Sequence, residues 1–237
     1  MERDELLDPH LAVPLLVEHP RPLQPPCPRD HAPRPRPYLH TSGPHTRRRG
    51  QLTETRRAVF LDRDGTLNIE RDLVQTPDDL ELIPGTVDAL RLLADAGFAL
   101  VVVTNQSARA RGFISEAELD AVHASLRATL EESSVELTDI VYCPHHPTVG
   151  EPPLRADCEC RKPEPGLITS AAAEHHLDLS RSWLVGDAAR DIEAGRRAGV
   201  QTLLVETGKG AEERSAFAPS MVVADIKAAA ERIIALG

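Results

Sequence analysis

No stretch of this chain stays apolar for anything near the ~20 residues that a bilayer-spanning helix needs, so no membrane partner is expected. The segment Leu11-Ala-Val-Pro-Leu-Leu-Val17 is short, carries a proline and follows an acidic start. Those are poor credentials for a signal peptide, and a cytoplasmic enzyme is the expectation. Basic charge is scarce as well. Of 27 Lys and Arg against 37 Asp and Glu, residues 1–50 take 8 basic and 6 acidic, leaving 19 against 31 in the rest, a balance of −12. A body that acidic lacks the broad basic face nucleic acid requires, although a small anion can still bind where a few cations converge. Cysteine is sparse too, with four in all, but three of them fall within an 18-residue stretch.

At 237 residues the chain has room for one domain and an appendage. Residues 1–50 hold 11 of the 20 prolines, 5 of the 10 histidines and the run Arg47-Arg48-Arg49. Pro-rich polar sequence without apolar periodicity cannot repay its ordering entropy. Residues 1–51 therefore read as a disordered extension, with its histidines and Cys27 incidental, and residues 52–237 as the folded domain.

The chemistry is concentrated where Ala58-Val-Phe-Leu61 runs into Asp62-Arg63-Asp64-Gly65-Thr66-Leu67-Asn68. Four apolar residues, two acids and a glycine suit a short buried strand ending in a tight turn. Residues two apart on an extended backbone face the same way, so Asp62 and Asp64 would look out together from the carboxyl end of the strand, where open α/β sheets bind ligands. Their mutual repulsion is the kind that a divalent cation relieves. A solvated strand-to-loop junction accounts for the bare pattern equally well.

Further along, Gly85 to Gly97 reads as a helix, and Phe98-Ala-Leu-Val-Val-Val103 as a parallel strand covered on both faces. That strand ends in Thr104-Asn105-Gln106-Ser107, which turn chemistry alone would explain. Ser115-Glu-Ala-Glu118 is a capping box opening a second helix, and Asp139-Ile-Val-Tyr142 is a third strand. Cys143, His145, Cys158 and Cys160 then form a clustered set that, in an intracellular protein, favours a metal over disulfides. Three thiolates and an imidazole close a tetrahedral Zn²⁺ site with no open position, which is structural rather than catalytic. The one-residue gaps are tighter than the usual finger spacing. Arg161-Lys162-Pro163 follows directly at a helix start, an unfavourable place for cations, and this local conflict points to function. Ser182-Trp-Leu-Val-Gly186 is a strand leading to Asp187 and Asp191, one helical turn apart. A strand at Thr202–Val205, another at Met221–Ala224 and a helix from Asp225 to Leu236 complete a doubly wound α/β pattern.

Asp62-Arg-Asp64-Gly-Thr resembles the first motif, D-x-D-G-T, of the haloacid dehalogenase superfamily of phosphotransferases. Thr104, Lys162 and Gly186-Asp187-x3-Asp191 resemble its second, third and fourth motifs in the same order, across roughly residues 55–210. The resemblance implies a single Rossmann-like parallel sheet with no large cap domain. It also implies a Mg²⁺-dependent phosphatase working through an aspartyl-phosphate. Asp62 would be the nucleophile and Asp64 the acid/base, while Asp62, the Asp64 carbonyl and Asp187 would bind Mg²⁺. Thr104, Asn105, Gln106, Ser107 and Lys162 would bind the phosphoryl group. The Cys-x-His…Cys-x-Cys insertion before Arg161-Lys162-Pro163 is similar to that of the heptose-bisphosphate and histidinol-phosphate phosphatase branch. On that branch Cys143, His145, Cys158 and Cys160 would hold structural Zn²⁺, Arg161 would help choose the substrate, and the loop at Glu70–Leu73 would touch the sugar.

The partner implied is a small phosphosugar, with no nucleic acid and the chain acting as a monomer. Two departures stand out. Ala188 occupies a position where that branch tends to carry lysine, and Ala108-Arg109 replaces a small apolar pair. Arg109 is the candidate to restore the missing charge. The reading from a different class is a zinc-stabilised binding module whose Pro/Arg-rich tail recruits a partner. Such a module has no need of Asp62, Asp64, Lys162 and Asp187 together.

Overall fold

The computed structural model describes residues 55–213 and 221–237. The disordered extension expected over residues 1–51 lies outside these residues. Six strands form one sheet: β1 (Ala58–Leu61), β2 (Ala99–Asn105), β3 (Asp139–Cys143), β4 (Trp183–Gly186), β5 (Gln201–Val205) and β6 (Val222–Val223). Their order is β3-β2-β1-β4-β5-β6, and every neighbouring pair is parallel. Parallel strands need covered crossovers, and among the described residues α1 (Thr86–Asp95), α2 (Glu116–Glu131), α3 (Gly166–His175), α4 (Ala189–Ala198) and the short α5 (Gly210–Glu213) lie in the five crossovers, while α6 (Ile226–Leu236) follows β6.

The continuous apolar runs of β1 and β2 follow from burial on both faces. Val59, Leu61, Leu100 and Val102 pack with Leu90 and Leu93 of α1 and with Ala229 and Ile233 of α6. The alternate residues Phe60, Val101 and Val103 pack with Leu167 and Ile168 of α3 and Ala194 of α4. Leu61, Leu90, Leu93 and Phe60 are wholly buried, each contributing about 1.5–3 kcal/mol relative to exposure.

Helix ends are fixed locally. The Ser115 hydroxyl accepts from the Glu118 amide at 3.2 Å while the Glu118 carboxylate takes the Ser115 amide at 2.7 Å. Asp225 caps α6 through the Ala228 amide at 2.8 Å. The expected elements are present with small shifts at their ends, and α5 is an addition that the apolar pattern does not show. Among the described residues no helix is long and apolar enough to cross a membrane. The chain leaves β3 at one edge and re-enters at β4 beside β1. The resulting switch point lies at the carboxyl ends of β1, β2 and β4, where open sheets of this kind place their ligands.

Candidate active site

Asp62 follows directly on β1 and is tied into the sheet by its amide, which donates to the Val185 carbonyl of β4 at 2.9 Å. Its Oδ1 receives the Arg63 amide at 2.8 Å and the Lys162 ammonium at 2.8 Å. Lys162 Nζ also reaches Asp191 Oδ1 at 2.6 Å and donates to the Val103 carbonyl at 2.8 Å. All three Lys162 donors are therefore committed behind the site rather than into open solvent. The carboxylates of Asp62, Asp187 and Asp191 gather within 4.8 Å of one another, and all three residues are buried. Sequence reading anticipated Asp62, Lys162 and Asp187. It treated Asp191 as a helix-turn companion, whereas the structure makes it the second anion on Lys162.

Three crowded carboxylates against one buried lysine, with Arg190 further off at 3.9 Å from Asp187, leave net negative charge, and the ionisation of Asp62 and Asp187 responds. Burial first, and then Asp191, raise Asp62 above its ordinary carboxylate range against the pull of Lys162. Burial also opposes the charge on Lys162, but Asp191 and Asp62 outweigh it and hold the ammonium above its ordinary value. Asp187 is pushed up to about 7 by burial and by the charges of Asp62 and Asp191. Its Oδ2 accepts the Lys209 amide at 2.9 Å, whereas its buried Oδ1 has no hydrogen-bond partner among the described residues. An orphaned carboxylate oxygen beside a second carboxylate is a donor set that fits a hard divalent cation. Gly65 makes the approach possible. At φ +81° its place would put a Cβ 2.2 Å from Asp187 Oδ2, so only glycine lets this turn close over the carboxylate.

Asp64 is held differently from Asp62. The buried Arg63 grips it with Nε and Nη2 at 3.0 and 2.9 Å, Asn68 donates to Oδ1 at 3.0 Å and Gln106 to Oδ2 at 2.9 Å. Burial would raise its pKa, but Arg63 and the two amides prevail and keep it below the usual carboxylate range. Repulsion between Asp62 and Asp64, which the sequence suggested a cation would relieve, is met here by Arg63. The residue between the two acids is thus a structural partner rather than a spacer.

The four polar residues after β2 divide their work. Thr104, Asn105 and Ser107 line the cavity. Asn105 also grips the Lys162 backbone, taking its amide at 3.1 Å and giving a hydrogen to its carbonyl at 3.0 Å. Gln106 is buried behind Asp64 and bonds Thr104 Oγ1 at 2.9 Å. Neither Gln106 nor Lys162 lines the cavity. The structure corrects the expectation for Arg109. Its Nη1 donates to the Ile114 carbonyl at 2.9 Å and its Nη2 sits 3.8 Å from Glu116, so it braces its own loop.

Cys143, His145, Cys158 and Cys160 converge as the spacing suggested, with ligand atoms within 4.8 Å of one another. Cys143 Sγ lies 3.5 Å from Cys158 Sγ and 3.7 Å from His145 Nδ1, and Cys160 Sγ lies 3.5 Å from that nitrogen. Bonds of about 2.3 Å to sulfur and 2.0 Å to nitrogen in a tetrahedron give edges of this order, so the set fits Zn²⁺. From this cluster the His145 carbonyl receives Arg161 Nη1 at 2.9 Å, which ties the metal-type loop to a cavity-lining cation.

The cavity in front of Asp62 has a volume of about 400 Å³. Glu70, Asp72 and Leu73 form one wall, and Arg111, Arg161, Arg190 and Lys209 bring four cations to it. Sequence reading placed the loop at Glu70–Leu73 and Arg161 here. It missed Arg190 and Lys209, whose only signal was their position after β4 and β5.

A parallel sheet of this order, carrying an acid pair after β1, a lysine before α3 and two acids around the start of α4, defines a haloacid dehalogenase-like hydrolase. A family model described as HAD-hydrolase-like matches residues 159–229. The D-glycero-beta-D-manno-heptose-1,7-bisphosphate 7-phosphatase of Escherichia coli (strain K12) is 46% identical over 153 residues, covering 64% of this chain and 80% of that protein. The protein of that name from Pseudomonas putida is 40% identical over 179 residues, covering 74% and 98%. The crystal structure of D,D-heptose 1,7-bisphosphate phosphatase from B. bronchiseptica with magnesium and phosphate superposes with a TM-score of 0.69 at 34% identity. That match covers 76% of this chain and 99% of the other. The chain belongs to the haloacid dehalogenase-like hydrolases, on the branch whose members carry the heptose-bisphosphate phosphatase name.

Proposed function

We propose that this protein is a Mg²⁺-dependent phosphatase that removes the 7-phosphate of D-glycero-D-manno-heptose 1,7-bisphosphate. The observation that carries the reading is Lys162, which joins Asp62 and Asp191 at 2.8 and 2.6 Å at the carboxyl edge of the sheet. A lysine buried against a carboxylate that faces a cavity favours its ionised form, which is the form a nucleophile needs. The names of the relatives supply the substrate, and four cations around the cavity suit a bisphosphate.

In the proposed reaction an Asp62 oxygen attacks phosphorus as the bond to the sugar oxygen breaks, and the departing alkoxide takes its proton from Asp64. Water then attacks the same phosphorus and gives its proton to Asp64, so that inorganic phosphate leaves and Asp62 is restored. Asp64 must exchange its Arg63 fork for the leaving oxygen before it donates. Lys162 offsets charge on Asp62, and Thr104 and Ser107 offer hydroxyls to the phosphoryl oxygens. Asp62, the Asp64 carbonyl and Asp187 would hold Mg²⁺, whose contribution when bound is to neutralise and orient the transferring group. Cys143, His145, Cys158 and Cys160 would hold structural Zn²⁺, with Arg161 hung from that loop.

Phosphate release in the presence of Mg²⁺ is the test, across heptose 1,7-bisphosphate anomers, fructose 1,6-bisphosphate and histidinol phosphate. Asp62→Asn is expected to abolish release while leaving the thermal unfolding midpoint near that of the parent. An active variant would refute the covalent route, and failure of every phosphomonoester would refute the activity.

A further inference from the structure

Phe113 is the most exposed large apolar side chain among the described residues, at 55%, and it stands on the lining of the cavity. A loose loop is not the reason. The segment after β2 is wound tight: the Arg111 amide donates to the Ser107 carbonyl at 3.0 Å, that of Gly112 to Arg109 at 3.1 Å, and that of Phe113 to Ala108 at 3.0 Å. Gly112 supplies the left-handed turn just before the ring, at φ +73°. Arg109 then holds the Ile114 carbonyl at 2.9 Å, so the loop that this arginine braces is the one that presents Phe113. Ala108 and Ile114 are buried in one apolar cluster, from which Phe113 is left out. Leu73 packs against the same cluster and also lines the cavity. Among the described residues these two carry the only apolar side chains on a lining otherwise made of carboxylates, hydroxyls, an amide and cations.

A lone exposed apolar residue is ordinary. Two that reach one charged cavity from separate loops, one of them locked by its own hydrogen bonds, suit an apolar part of a ligand. A sugar ring offers such a part. Its C–H face is weakly positive and complements the negative face of an aromatic ring, while its hydroxyls can donate to Glu70 and Asp72 on the same lining.

We propose that Phe113 is a specificity-determining residue that, with Leu73, receives the C–H face of the substrate's sugar ring and so favours ring phosphomonoesters over small open-chain phosphates. The platform is held in place before the ligand arrives, so little ordering entropy opposes the contact. The cations cannot make this choice, because every phosphate meets the same ones. The inference rests on the phosphatase reading and deepens it.

The test compares kcat/KM for heptose 1,7-bisphosphate with that for acetyl phosphate, which has no ring, in the full-length Mg²⁺-loaded protein. Phe113→Ala is expected to lower the ratio of the two values about five- to tenfold, the change carried by taking the exposed half of a phenylalanine out of water, chiefly through KM for the sugar. Phe113→Trp keeps an aromatic face and is expected to hold the ratio within about threefold of the parent. Thermal midpoints of both variants should stay near the parent's, because the ring lies outside the apolar clusters. A ratio within about twofold of the parent in Phe113→Ala would overturn the inference. So would an equal loss on both compounds, or Phe113→Trp falling as far as Phe113→Ala. If the parent hydrolyses neither compound, the phosphatase reading falls with it. Turnover of acetyl phosphate alone removes this inference and the sugar substrate but leaves the phosphatase.

Discussion

Replacing Asp187 by Asn removes a charge that burial and two neighbouring carboxylates oppose while keeping its shape, and the sign and size of the consequence follow. Asp187 is fully buried, and burial with Asp62 and Asp191 raises its pKa from 3.8 to about 7. A carboxyl whose folded pKa is raised destabilises the fold when it ionises. Well below pH 3.8 the side chain is protonated folded or unfolded and contributes nothing. As pH rises the unfolded chain ionises first and stability falls, until the penalty is complete somewhat above pH 7. The shift spans roughly three units at about 1.4 kcal/mol each, so the full penalty is at most ~4 kcal/mol. With magnesium withheld, Asp187→Asn is therefore expected to be more stable than the parent at pH 8, with roughly a third of that gain at pH 5. Asn retains an oxygen for the Lys209 amide, so the hydrogen bond at 2.9 Å is not the variable. Saturating Mg²⁺ should reverse the order, because the parent gains binding free energy and the variant has lost an anionic ligand. Urea unfolding at the two pH values, each with and without Mg²⁺, reads all four quantities. A variant less stable than the parent at pH 8 without Mg²⁺, or one whose stability still rises with Mg²⁺ as the parent's does, would refute the reasoning.

Lys162→Met strips the cation from two buried carboxylates and is expected to cost about 3–5 kcal/mol of stability. Because the pKa of Asp62 is already raised and would rise further, protonation relieves the loss, so urea midpoints of variant and parent should converge from pH 8 to pH 5. Zinc is expected to co-purify at one ion per chain by elemental analysis, and Cys158→Ser to lower both the zinc content and the thermal midpoint. Asn105→Ala unties the Lys162 backbone. It is expected to lower kcat about tenfold with little change in the thermal midpoint, checked by steady-state kinetics beside calorimetry.

The parts of this protein that sequence reading reached are those fixed by local rules. β1 and β2 are legible because central parallel strands are buried on both faces, so apolar runs and glycine or acid at their ends mark them. The capping box at Ser115 and Glu118 is legible because both hydrogen bonds close within one helical turn. What escaped were partnerships between residues far apart in the chain. Gln106 reaches Asp64 across 42 positions and Asn105 reaches the Lys162 backbone across 57, and no periodicity encodes either. Polar residues after a strand at a sheet edge look alike in sequence whether they face the cavity or brace what does: Asn105 does both, and Gln106 only braces. Arg109 and Arg190 show the same limit for charge. Arg109 was drawn into the site from sequence but bonds its own loop at Ile114 and Glu116, whereas Arg190, which lines the cavity, was not anticipated.

Charge balance explains why these distant partnerships are needed at all. Asp62, Asp187 and Asp191 lie close enough for a metal and are held apart from solvent, yet the two acids of the first motif cannot share one counter-ion without losing their separate roles. The fold resolves this by giving each acid its own cation. Lys162 faces Asp62 and keeps Asp191 as its second anion, while Arg63 turns Asp64 aside and lowers its pKa. Two carboxylates two residues apart thus acquire opposite shifts, Asp62 upward and Asp64 downward. These resting shifts run against the proposed roles, since an attacking Asp62 has to be ionised and a donating Asp64 protonated. A bound cation at Asp62 and the release of Asp64 from Arg63 are therefore required before the pair can act. Arg63, lying between them in sequence and wholly buried, is consequently as much a part of the site as the acids that flank it.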